Sequence, residues 1–104
     1  MKQLIALAFV VLFGSVALLA KEAVFTACTS DKQAVELTLD IANDAPASIA
    51  EHVSDAFKNA ARELTVGELQ SREGFLKFVS YLSGDDLEEI AVSGPPAVVD
   101  GPCK

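Results

Sequence analysis

The sequence is short of the residues that most small catalytic or metal-binding domains depend on. Its 104 residues include one histidine and two cysteines, whereas a structural zinc site takes about four such ligands. The cysteines, Cys28 and Cys103, stand far apart and form no Cys-x-x-Cys redox pair. Ser15, Ser30, Ser71 and Ser93 have no Gly-x-Ser-x-Gly context for a nucleophile turn. Arg62 and Arg72 are the two arginines, and the formal charge is -7. Such a balance leaves no footprint for nucleic acid or anionic lipid and keeps a small exported chain in solution. The sequence also lacks internal repeats and low-complexity tails. No nucleophile, base and orienting group can be nominated together, so the expectation is a non-enzymatic protein without cofactor or metal.

The N-terminus carries a leader pattern. Lys2 supplies a positive start, and Leu4 to Phe13 is an unbroken apolar run. Ala17 and Ala20 then offer small residues for cleavage. Residues 1–20 read as a secretory signal peptide, and 21–104 as one small domain. Cleavage removes Lys2 alone among the charged residues, taking the net charge from -7 to -8. The competing reading is an uncleaved anchor, since the apolar run from Leu4 to Ala20 approaches the length that crosses a bilayer. Export to the periplasm or medium favours pairing of an even cysteine count, so Cys28 and Cys103 are expected to form one disulfide joining the two ends of the domain. Free thiols, or a lipid on Cys28, are the alternatives; Lys21 and Glu22 separate Cys28 from the apolar leader and disfavour the lipid.

The domain is organised around residues 48–64. Ile49, Val53, Ala56, Phe57, Ala60, Ala61 and Leu64 recur at helical spacing and form one apolar stripe. Glu51, His52, Asp55, Lys58, Arg62 and Glu63 take the opposite face. Ser48 and Glu51 have the capping-box spacing. Before this helix, Val35, Leu37, Leu39 and Ile41 alternate with Glu36, Thr38 and Asp40, the period of a strand with one covered face. Ala23 to Cys28 pairs with it as a hairpin, and the segment from Asn43 to Pro46 breaks it.

Thr65 and Glu68 repeat the capping spacing around an inward Leu69. A second helix starts near Ser71 or Arg72, with Phe75, Phe78, Val79 and Leu82 inward and Gly84 as its stop. Asp85-Asp86 begins a further helical turn or a polar loop. Leu87, Ile90 and Val92 suggest a third strand. Ser93 to Pro96 is a turn, because prolines remove ladder donors, and Ala97 to Val99 is a short edge strand. The order β-β-α-α-β-β predicts an α+β domain, two helices packed on one face of a small antiparallel or mixed sheet.

Two polar features are read as surface. His52 lies on the polar face of the main helix and is expected to be solvated. Asp85-Asp86 and Glu88-Glu89 lack the alternating carboxylates and closing Glu of a calcium loop and read as a solvated acidic turn.

Part of the chain resembles a known family. Ser30-Asp31-Lys32-Gln33-Ala34-Val35 enters a strand, Val35 to Ile41 is followed by Asp44 and Pro46, and Ala61-Arg62-Glu63-Leu64-Thr65-Val66-Gly67-Glu68-Leu69 leads to Arg72-Glu73. These stretches are similar to the stomatin and prohibitin (SPFH, band-7) domain, and to the related periplasmic domain of a flagellar basal-body protein that associates with the stator. Ala45 intervenes where the family has Asp and Pro adjacent, and Cys28 and Cys103 are not family marks. The resemblance implies a self-associating scaffold beside a membrane and supplies no catalytic residue.

Three functions therefore compete. The first is an exported module binding a protein partner or itself through an open edge strand, Ala23 to Cys28 or Ala97 to Val99. The second is a membrane-tethered stomatin-like scaffold that keeps its N-terminal helix, the one case in which the membrane is a partner. The third, a small hydrolase or metal enzyme, requires a pocket collecting His52 with carboxylates.

Overall fold

The computed structural model describes residues 20–103. The leader, and with it the choice between cleaved peptide and anchor, lies outside the described residues apart from Ala20. The rest is an α+β domain with an antiparallel sheet of four strands and four helices.

Strands β1 (Ala20–Cys28) and β2 (Ala34–Ala42) form a hairpin in register from Ala20 opposite Ala42 to Cys28 opposite Ala34. The alternation of β2 decides which face is covered. Val35, Leu37 and Leu39 are buried, and their cross-strand partners Ala27, Phe25 and Ala23 share that face. The opposite face pairs Glu22 with Asp40, Val24 with Thr38 and Thr26 with Glu36. Val24 is 53% exposed there, so no layer lies over this side of β1.

β1 extends back beyond Ala23 to Ala20, the first described residue. Lys21 and Glu22 read as the end of the leader, yet both are exposed strand residues. An edge strand tolerates charge because one of its sides is wet.

Helix α1 (Ser48–Glu63) lies on the covered face with Ile49, Val53, Ala56, Phe57, Ala60 and Ala61 buried, the stripe that the spacing predicts. The Ser48 and Glu51 capping box does not form. Ala47 already has helical dihedrals, and the Ile49 N–H donates to the Pro46 carbonyl at 3.0 Å. Proline is preset for the first helical position, so the turn begins ahead of Ser48.

Helix α2 (Val66–Leu69) carries the expected box: Thr65 Oγ1 accepts from the Glu68 N–H, and the Glu68 carboxylate accepts from the Thr65 N–H. Helix α3 (Arg72–Ser80) follows, and its Phe78 ring meets Phe57 edge-on with centroids 6.3 Å apart.

Gly84 does not end α3. It is the first residue of a fourth helix, α4 (Gly84–Glu88), capped by Ser83. Leu87 belongs to that helix, and β3 is Ile90–Val92.

Strands β3 and β4 (Ala97–Val98) both pair with β2, on the edge that β1 leaves free. Leu39 faces Val92 and Glu36 faces Ala97, so Leu37 and Thr38 are spanned by the longer stretch from Ser93 to Pro96. Two prolines in that stretch make this edge discontinuous. The Cys28–Cys103 disulfide, with Cα atoms 5.7 Å apart, ties the end of β1 to the C-terminal tail.

Candidate interaction edge

The sheet has two edges, and they differ. On one side β3 and β4 are short and split by the proline turn. On the other, β1 presents nine consecutive residues whose only strand partner among the described residues is β2. Backbone N–H and C=O groups along such an edge are set for pairing with another strand. Of the two segments that the sequence offers for strand addition, Ala23 to Cys28 is continuous and Ala97 to Val99 is not.

The C-terminal end of β1 is the firmer. The Thr29 N–H donates to the Gln33 carbonyl at 3.0 Å, and the Gln33 N–H to Thr29 Oγ1 at 3.0 Å. Lys32 closes this turn with φ 61°, in the left-handed region. The Ser30 N–H reaches the Leu64 carbonyl at 2.9 Å, and the Val66 N–H reaches Asp31 Oδ1 at 3.3 Å. The hairpin loop is thus fastened to the junction of α1 and α2. Thr29 also donates its hydroxyl proton to Asp31, and that bond leads the effects holding the Asp31 carboxyl below its ordinary value.

His52 is not simply solvated. Its ring is half exposed, but Nδ1 lies 2.9 Å from Asp86 Oδ1. This hydrogen bond raises the imidazole pKa above its ordinary value. Asp86 is 5% exposed and also caps α4, with Oδ2 accepting from the Ser83 N–H and its own N–H donating to Ser83 Oγ. Burial pushes the Asp86 carboxyl up, and the bonds from His52 and Ser83 together outweigh it and hold the group below the usual value. Asp86 therefore departs from the solvated acidic turn expected of its neighbours. The signal for it was Ser83-x-x-Asp86, the spacing of a capping box with a shorter acid.

His52 and Asp86 form a pair, and Glu51 and Asp55 on the same helix add to the raising of the imidazole pKa. Among the described residues no cluster of three or more His, Cys, Asp or Glu side chains is arranged to hold a metal ion. A cavity of about 170 Å³ lies elsewhere, under the proline turn. Leu37, Phe57, Phe78, Val92 and Pro96 line it, with Gln70, Ser71 and Arg72 supplying its polar groups, and it holds no histidine or carboxylate. The cysteines are joined, and no described cysteine is free. No described helix is long and apolar enough to cross a membrane.

No protein-family model, curated protein or solved structure matches the chain.

Proposed function

We propose that this protein is an exported interaction module that takes up an extended segment of a partner along β1. The observation that carries the reading is the unbroken edge of β1, paired along its whole length with β2 and still eight residues long if cleavage falls after Ala20. Main-chain pairing along such an edge supplies affinity, and alternate side chains supply selectivity. The Cys28–Cys103 bond supports the exported setting, because disulfides persist where the surroundings are oxidising.

Backbone amide exchange in the oxidised protein tests the edge. With a bound partner segment, alternate amides of β1, those pointing away from β2, gain protection while the amides already paired with β2 keep theirs. Protection confined to the 93–96 turn would overturn the assignment to β1.

The second reading, a stomatin-like scaffold that keeps its apolar leader, draws on β1 reaching back to Ala20, the last residue of that leader. A retained leader would hold the open edge against a bilayer. Mass spectrometry of the exported protein separates the two, since a start after Ala17 or Ala20 removes the tether.

A further inference from the structure

We infer that the segment received by β1 is acidic, and that Lys32, Lys58 and Arg62 select it. This inference rests on the edge-pairing reading and adds the chemistry of the partner.

The three cations converge although they come from separate elements. Lys32 sits at the hairpin tip, while Lys58 and Arg62 are one turn apart on α1. All three line one open cleft of about 640 Å³ beside Thr26, Ala27 and Cys28 of β1. The chain has eight lysines and arginines against fifteen acids. Three of the eight in one cleft make a local reversal of the protein's overall sign.

The acids adjacent to these cations in sequence, Asp31 and Glu63, have other hydrogen-bond partners, although Arg62 also helps to hold the Glu63 carboxyl below its ordinary value. Asp31 is bound by the Thr29 hydroxyl and the Val66 N–H. Glu63 accepts from the Tyr81 hydroxyl and pairs with Lys77 Nζ at 3.3 Å. Among the described residues, the ion pairs are His52 with Asp86 and Lys77 with Glu63, so the cleft cations have no carboxylate at contact distance.

The pleat then dictates a pattern for the visitor. Ala23, Phe25 and Ala27 face the helices, and the residues paired with them in an added strand face the same way. The one opposite Ala27 enters the cleft beside Lys58 and Arg62. The one opposite Phe25, two positions along, covers a half-buried ring. An acid and an apolar residue separated by one position satisfy both.

A second copy of this chain is a poorer occupant. Antiparallel pairing of residues 21–27 with the same residues of a second copy sets Lys21 opposite Ala27. That register adds a fourth cation to the cleft. Like charges brought together at an interface oppose the complex and select against it.

The probes are two synthetic peptides the length of β1 that carry Val where they pair with Phe25 and, where they pair with Ala27, either Glu (the Val-Glu peptide) or Lys (the Val-Lys peptide), titrated into the oxidised protein. Binding is read from amide shifts. The Val-Glu peptide is expected to bind along β1 and the Val-Lys peptide about tenfold more weakly or not at all. The double reversal K58E/R62E, at two exposed positions, is expected to cost the Val-Glu peptide about tenfold and to favour the Val-Lys peptide. N-methylation of alternate amides in the Val-Glu peptide should abolish binding while leaving its charge intact.

Equal binding of both peptides, unmoved by the reversal, would overturn the acidic preference and leave strand addition standing. Failure of both peptides to shift β1 would overturn the two readings together. Binding insensitive to N-methylation, or matched by inorganic phosphate or a DNA oligonucleotide, would make the cleft a general anion site and also overturn the proposal.

Discussion

A methyl group on Gly74 would lie 2.0 Å from the carbonyl oxygen of Leu69. The first turn of α3 therefore rests directly on the last residue of α2, at a distance that excludes any side chain. This contact packs Leu69 and Phe78, both buried, beside Phe57.

Gly74→Ala is expected to destabilise the domain by about 2 to 3 kcal/mol, the range for forcing extra atoms against a packed backbone. Gly67→Ala is the control, because a methyl there meets nothing within 4 Å. Denaturant melts of the two variants check the difference; equal midpoints would mean that α3 does not sit on Leu69 in solution.

The disulfide closes a loop with a sequence separation of 75. Loop-closure entropy assigns such a cross-link about 4 to 5 kcal/mol, a large fraction of what a domain of this size has in total. Cys103→Ser should lower the thermal midpoint steeply. Reduction of the native protein should produce the same drop, and a midpoint insensitive to reductant would contradict the assignment.

The His52 and Asp86 pair makes stability depend on pH from both sides. The folded His52 pKa is raised above its ordinary 6.5, so its contribution is complete below that value and is lost as pH rises through the folded pKa. The folded Asp86 pKa is lowered below its ordinary 3.8, so its contribution is present above that value and is lost as pH falls through the folded pKa. The pair is strongest between these limits. Asp86→Asn keeps an acceptor for the Ser83 N–H but removes the charge, and imidazole proton shifts should then show His52 titrating lower than in the native protein. An unchanged His52 titration would mean that the pair does not form.

Legibility in the sequence followed the environment of each residue. The alternation from Val35 to Ile41 and the stripe from Ile49 to Leu64 were readable because water on one side and core on the other impose a period. The cysteine pair was readable from count and compartment. Ser48 misled because Pro46 starts the helix first, and Gly84 misled because a glycine can open a helix as well as close one. Lys21 and Glu22 resembled a boundary because edge strands carry charge. The cleft shared by Lys32, Lys58 and Arg62 had no linear signature, since the hairpin tip and α1 meet only through folding.

The bond from Cys28 to Cys103 also limits how the sheet can rearrange. β4 and β1 flank β2 on opposite sides, so the C-terminal tail reaches past the central strand to fasten the far one. Once oxidised, the molecule wears a covalent belt across its hairpin end, and exchange of its first strand with a neighbouring molecule is barred until a reductant unbuckles it.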